Sequence, residues 1–291
     1  MTSSTALPDR LPFRKMQGLG NDFVVIDARN RPLVLTQPQL ALIADRRFGI
    51  GCDQLILLED TPQADIRMRI FNPDGGEVGA CGNATRCIAA LVHAEDGRDP
   101  VRIETRAGIL VGHLAGEEVA VDMGLPQLEW QQIPLSGSGT DTRRVPFDGT
   151  AIHPRLPDWF SAVNMGNPHG IFFVEDADAF PLEAIGPRLE TDPVFPEKAN
   201  ISLVAAEGPN RFRVRVWERA AGITLACGTA ACAVGVAVWR LGLAEGAVAI
   251  RLPGGTLQID RDSRGHILMT GPAATSFTGM IDGAWLAAAR G

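Results

Sequence analysis

Cys81-Gly82-Asn83-Ala84 and Cys227-Gly228-Thr229-Ala230 repeat one pattern 146 residues apart, and each cysteine directly precedes an apolar segment of helical length. A thiol at a helix start lies beside unpaired backbone N–H groups and the positive end of the helix dipole, so a thiolate is favoured there. The same amides can hold a carboxylate, which makes the N–H groups of Gly82, Asn83, Gly228 and Thr229 candidate donors to charge developing on a substrate. One thiol and one thiolate on opposite faces of a carbon would remove a proton from one side and return it on the other. The chemistry expected of such a pair is inversion of a stereocentre.

The elements that would position these thiols are also duplicated. The shift that aligns the cysteines carries Ile66–Asn72 onto Phe212–Glu218, Gly20-Asn21 onto Gly166-Asn167 and Asp53-Gln54-Leu55 onto Ala199-Asn200-Ile201, while one position more carries Gly108 and Gly124 onto Gly255 and Gly271. Copies this long are not solenoid repeats. They imply two similar domains, with a site expected where they meet. Short alternating runs at 23–27, 55–58, 101–104, 119–122, 171–174, 212–217 and 249–252 read as strands. The segments 84–94 and 230–241 read as helices that are apolar nearly all round, which marks them as buried on every side, so strands must wrap them.

The expected fold is therefore α/β (α+β), with two pseudo-symmetric domains, each a mixed β-sheet or barrel around a central buried helix. Gly- and Pro-containing punctuation at 123–126 and 269–272 closes each copy. The domains are drawn as residues 1–126 plus 273–291 and residues 127–272. The tail at 280–289 has no counterpart and is assigned to the first domain, and the polar stretch 136–144 is read as a loop.

A chain of 291 residues with 45% hydrophobic content can bury two cores. Its net charge of -7 lacks the basic footprint of a nucleic-acid or anionic-membrane binder, so the expected partner is a small molecule, with no nucleic acid and no membrane. The N-terminal residues show no apolar core of signal-peptide length, and no apolar run approaches the ~18 residues of a spanning helix; a soluble, cytoplasmic protein is expected. Five cysteines, at 52, 81, 87, 227 and 232, are an odd number in a large chain, which favours reduced thiols over a disulfide scaffold. Their spacing does not match zinc knuckles, so no metal is expected. There is no tyrosine, and the only lysines are Lys15 and Lys198, neither in a setting that suits a pyridoxal-phosphate Schiff base. Glycines such as Gly18 and Gly20 precede a strand where a dinucleotide fingerprint would follow one. Chemistry without a cofactor is the expectation.

Further motifs carry a family resemblance: residues 15–23 (Lys-Met-Gln-Gly-Leu-Gly-Asn-Asp-Phe), residues 72–77 (Asn-Pro-Asp-Gly-Gly-Glu), Gly166-Asn167-Pro168-His169, and Glu218-Arg219 ahead of Ala226-Cys227-Gly228-Thr229. In this order, across residues 13 to about 272, the chain resembles the diaminopimelate epimerases. The resemblance implies an isomerase that interconverts LL- and meso-diaminopimelate in lysine and peptidoglycan precursor synthesis. It further implies Cys81 as proton donor and Cys227 as proton acceptor, with the roles exchanging in the reverse direction. The implied substrate contacts are Asn21, Gln54, Asn72, Asn83, Asn167, Asn200, Glu218, Arg219 and Thr229, with His169 in support. Arg219 is a natural fork for a distal carboxylate, and Glu218 an acceptor for an ammonium. Ala84, Ala220 and Ala230 stand where the family commonly has glycine, Ile223 alters the same run as Ala220, and Gln17 replaces a common histidine. A sister racemase acting on proline or hydroxyproline, or an amino-acid-binding protein without activity, is the alternative, and a homodimer is left open. Cys52, Cys87 and Cys232 are read as ordinary buried thiols.

Overall fold

The computed structural model describes residues 7–137 and 141–289. Residues 1–6, part of the N-terminal expectation, and residues 138–140, inside the polar stretch, lie outside the described residues. The chain divides into two compact units, residues 1–121 with 272–291, and residues 122–271.

In chain order the first unit contains β1 (Arg10–Gly18), β2 (Asn21–Asp27), α1 (Gln37–Ala44), β3 (Gln54–Glu59), β4 (Ile66–Phe71), β5 (Glu77–Val78), α2 (Gly82–Asp96), β6 (Val101–Thr105), β7 (Gly108–Ala115) and β8 (Glu118–Asp122). The second contains β9 (Val145–Pro146), β10 (Trp159–Asn164), β11 (Pro168–Phe173), α3 (Leu182–Glu190), β12 (Asn200–Gly208), β13 (Arg211–Glu218), β14 (Gly222–Ile223), α4 (Gly228–Arg240), β15 (Val248–Leu252), β16 (Gly255–Arg261) and β17 (Ile267–Gly271). The chain ends with β18 (Ala274–Asp282) and α5 (Gly283–Ala287). β18 runs antiparallel to β1 over its length, so the C-terminal residues complete the first unit. Among the described residues no helix is long and apolar enough to cross a membrane.

Strand register reproduces the sequence repeat residue by residue. β2 lies parallel to β3 with Phe23 opposite Gln54, and β11 lies parallel to β12 with His169 opposite Asn200, which is the same pair shifted by 146. Leu55 faces Phe71 across β3 and β4 as Ile201 faces Trp217 across β12 and β13. After the helices the shift is 147: Thr105 pairs with Gly108 as Leu252 pairs with Gly255. The extra residue is accommodated between helix and strand, where no ladder is interrupted. The first hairpins differ. Leu19 and Gly20, with φ of 57° and 83°, make a two-residue turn between β1 and β2, which is the left-handed pair that matches strand twist. Its counterpart between β10 and β11 holds Met165, Gly166 and Asn167 between the paired Asn164 and Pro168.

Each unit is a mixed sheet packed around one helix. α4 touches β10, β11, β12, β15, β16 and β17, and nine consecutive residues, Ala230–Val238, are buried. Their small side chains let six strands close on the helix. α2 packs against β1, β6 and β7, but its buried face is not purely apolar. Asn83, Thr85 and Arg86 are buried in it, and Arg86 Nε donates to the Pro272 carbonyl at 3.2 Å.

One contact shows how the two copies fill the same space differently. A Cβ on Gly112 of β7 would lie 2.5 Å from the Ala89 Cβ of α2, and a Cβ on Gly235 of α4 would lie 2.7 Å from Ile259 Cγ2 of β16. These are the same positions in the repeat, with the missing side chain on the strand in one unit and on the helix in the other. Close packing of helix on sheet demands one small partner at that point, and either side can supply it.

Candidate active site

Both cysteines are N-cap residues. Cys81 has φ -150° and ψ 113°, and Cys227 has φ -118° and ψ 109°. This extended geometry turns each carbonyl into the first helical acceptor, from Thr85 N at 2.9 Å and from Ala231 N at 3.1 Å. Gly82-Asn83 and Gly228-Thr229 open the helices, so their N–H groups have no acceptor one turn back.

In the first unit the polar residues form a bonded chain. Cys81 Sγ donates to Asn21 Oδ1 at 3.7 Å, and Asn83 Nδ2 donates to the same oxygen at 3.1 Å. Asn21 Nδ2 in turn donates to Asp53 Oδ2 at 3.0 Å. Arg46 bridges Asp53 at 2.7 Å and Asp22 at 2.6 Å, and Lys15 Nζ lies 2.6 Å from Asp22. Burial works to raise the Asp22 carboxyl, but its bonds to Arg46 and Lys15 hold it at about 2. Gln54 Nε2 donates to Asn72 Oδ1 at 3.1 Å, with Gln54 Oε1 buried and lacking a partner among the described residues. The parallel pairing of β2 with β3 brings residues 21 and 22 to residues 53 and 54.

In the second unit Asn200 is the hub. Its Nδ2 donates to the Pro168 carbonyl at 3.0 Å and its Oδ1 accepts from Arg219 N at 3.0 Å. The Arg219 side chain is exposed and donates from Nη1 to the Glu197 carbonyl at 3.2 Å, and its other guanidinium N–H groups meet no acceptor among the described residues. Cys227 Sγ lies 3.5 Å from Thr229 Oγ1, and the Thr224 hydroxyl donates to Glu218. The helix start was expected to favour the Cys227 thiolate. Burial, reinforced by the neighbouring Glu218 carboxylate, instead pushes this thiol well above its ordinary value, against the opposing bonds from Thr229 and the Ala230 N–H. A helix terminus offsets charge by about 2 kcal/mol at most, less than the cost of burying an ion. Burial likewise pushes Cys87 up to about 12 and Cys52 to about 11, which disfavours the thiolate at both.

His169 is fully buried; its Nε2 donates to Asn167 Oδ1 at 2.9 Å and its Nδ1 lacks a partner among the described residues. Burial, with Arg219 adding repulsion, lowers its pKa from 6.5 to about 3. The unfolded chain therefore binds a proton below pH 6.5 that the folded chain refuses. Stability from this residue is complete above pH 6.5 and falls as the pH drops towards 3, by about 1.4 kcal/mol per pH unit. Urea unfolding at pH 7, 6 and 5 should show this slope, and His169→Gln should reduce it by one proton.

Glu190, absent from the residues singled out by sequence, braces the turn that carries Glu218 and Arg219. It is buried at the end of α3, accepting from Trp217 Nε1 at 2.7 Å and from Ala220 N at 3.1 Å. Asp53 and Arg46 were also missed as members of the bonded chain around Asn21. Asp53 differs from its repeat partner Ala199, a signal that a repeat comparison discards because it looks for sameness.

The diaminopimelate epimerase family profile matches residues 13–129 and 161–276. The chain belongs to the diaminopimelate epimerase family. It is 49% identical over 274 residues to the diaminopimelate epimerase of Erythrobacter litoralis, covering 94% of this chain and 98% of that one. It is 51% identical over 272 residues to that of Rhodospirillum centenum, covering 92% and 91%. Among solved structures it is similar to a phenazine biosynthesis protein of the PhzF family from Bacillus anthracis, with TM-score 0.68 and 21% identity over 94% of this chain and 99% of that one. A hydroxyproline epimerase from Agrobacterium vitis gives TM-score 0.64 at 15% identity, over 96% and 92%. These distant likenesses establish the shared fold, the mixed α/β architecture expected from the sequence.

Family membership gives meaning to the alanines at glycine positions. Ala84 and Ala230 lie inside α2 and α4, where alanine is the better helix former. Ala220 is different: its φ of 62° is left-handed, a conformation that costs a residue with a Cβ about 1 kcal/mol. Ala220→Gly is expected to raise the thermal midpoint by a few degrees, read by calorimetry.

Proposed function

We propose that this family member is a cofactor-independent epimerase that interconverts LL- and meso-diaminopimelate, with Cys81 and Cys227 as the acid and base. The observation that carries the reading is the pair of N-cap cysteines, one in each unit, at identical positions in the repeat and in a chain of this family. One thiol protonates the α-carbon on one face while the other, as thiolate, abstracts from the opposite face. With Cys81 as donor and Cys227 as acceptor the reaction runs one way; the return reaction exchanges them. The backbone amides of Gly82, Asn83, Gly228 and Thr229 stabilise charge developing on the reacting carboxylate.

The elevated Cys227 thiol fits a substrate-triggered base. Glu218 disfavours the thiolate while unneutralised, and a substrate ammonium held on Glu218 removes that repulsion. Asn21, Gln54, Asn72, Asn83, Asn167, Asn200 and Thr229 read the polar atoms of the amino acid, Arg219 takes its distal carboxylate, and His169 holds Asn167. The partner is this small molecule and the setting the cytoplasm; sedimentation would establish whether the enzyme works as a homodimer.

The test is incubation of LL-diaminopimelate with the protein in deuterium oxide, with stereoisomers separated and α-deuterium measured by mass spectrometry. Formation of the meso isomer with solvent deuterium at the inverted carbon is expected. A substrate recovered unlabelled and uninverted would mark a binding protein, and turnover of proline or hydroxyproline in its place would mark the sister racemase.

A further inference from the structure

The two thiols occupy unlike surroundings, and one part of the difference lies in how a repeated asparagine is held. Asn21 and its repeat partner Asn167 each carry an amide that faces either way for little energy until a neighbour chooses. In the second unit the neighbour is His169, which donates to Asn167 Oδ1. In the first it is Asp53, a carboxylate that can only accept, bonded to Asn21 Nδ2 at 3.0 Å. Since the nitrogen is committed to Asp53, the Asn21 carbonyl must face the other way, onto Cys81 Sγ at 3.7 Å and Asn83 Nδ2 at 3.1 Å.

We propose that Asp53 is a positioning residue for the epimerisation: it fixes the Asn21 amide so that a hydrogen-bond acceptor faces the Cys81 thiol. A carbonyl facing sulfur favours S–H over the thiolate, and an N–H there would do the opposite. Asp53 therefore keeps Cys81 protonated until the substrate carbanion takes its proton. The carboxylate is itself held in place. Its Oδ1 accepts from Arg46, its Oδ2 also accepts from Asp22 N at 3.2 Å, and Arg46 is anchored to Asp22, which Lys15 holds from β1. The second unit carries Ala199 at the equivalent position and has no such brace there, so this control is specific to one of the two thiols. The inference rests on the proposed reading of Cys81 as an acid, but the contact it concerns can be tested without turnover.

The experiment is a double-mutant cycle on the full chain with Asp53→Ala and Asn21→Ala, reading the rate at which iodoacetamide alkylates Cys81 at pH 7, resolved from Cys227 by peptide mass mapping. Asp53→Ala frees the Asn21 amide to turn its N–H to the sulfur, and alkylation of Cys81 is expected to rise about tenfold. In the Asn21→Ala background the same change is expected to alter the rate by less than about twofold, because Asp53 acts through Asn21. Cys227 alkylation should not move in either background. The isosteric Asp53→Asn, run through the same cycle, serves if the alanine variant does not fold. An equal rise in both backgrounds would show a through-space charge effect and overturn the proposal, as would an unchanged rate. With activity measured alongside, kcat should fall about tenfold in Asp53→Ala and show no further fall when Asp53→Ala is added to Asn21→Ala. If the parent does not epimerise diaminopimelate, the alkylation cycle still decides the role of Asp53.

Discussion

Replacing either Cys81 or Cys227 with alanine is expected to abolish epimerisation, lowering kcat by about a thousandfold or more, since each proton transfer loses the group proposed to perform it. Folding should survive. Truncation removes the sulfur's weak contacts, with Asn21 at Cys81 and with Thr229 and the Ala230 N–H at Cys227, which is small beside the packing that holds each buried helix. The single variants should not be identical in what remains. A thiolate left on one side can still abstract a proton and return a solvent deuteron to the same face, giving exchange without inversion. Stereoisomer ratio and α-deuterium content, measured on the same sample, separate the two outcomes. Parental turnover in either variant would defeat the two-thiol mechanism.

The second large effect is expected at Arg219. Its backbone is pinned by Asn200 and its exposed guanidinium makes, among the described residues, one bond to the Glu197 carbonyl, which suits the proposed role as a fork for a carboxylate. Arg219→Lys keeps the charge but loses the paired, planar donors, and KM for diaminopimelate is expected to rise roughly 10- to 100-fold, the worth of one charge-assisted bond. kcat should change much less, because the distal carboxylate is remote from the reacting carbon. Asn200→Ala should raise KM as well, through loss of the Arg219 anchor, and the pair should be non-additive. A KM for Arg219→Lys within about twofold of the parent would remove the distal-carboxylate assignment.

The amino-acid sequence alone carried the repeat, seven strand segments and the two central helices, while strands such as β1, β7, β12, β16 and β18 were not read from it. Side-chain period follows backbone geometry, so alternation over residues 212–217 and unbroken apolarity over 230–238 each admit one reading. It also determined that two cysteines share one place in that repeat, and the 146-residue shift recurs in the pairing of Phe23 with Gln54 and of His169 with Asn200. The environment of each group, by contrast, follows from long-range pairing and burial. Asp53 meets Asn21 because β2 and β3 run side by side in parallel, a pairing between segments about thirty residues apart that local pattern does not encode. Arg86 lies fully buried in a helix whose pattern reads as apolar, because the Pro272 carbonyl, 186 residues away, receives it. The Cys227 thiol shows the same division most sharply. Its helix start, legible in the sequence, favours the thiolate, whereas its burial beside Glu218, visible only in the fold, raises it, and desolvation is the larger energy.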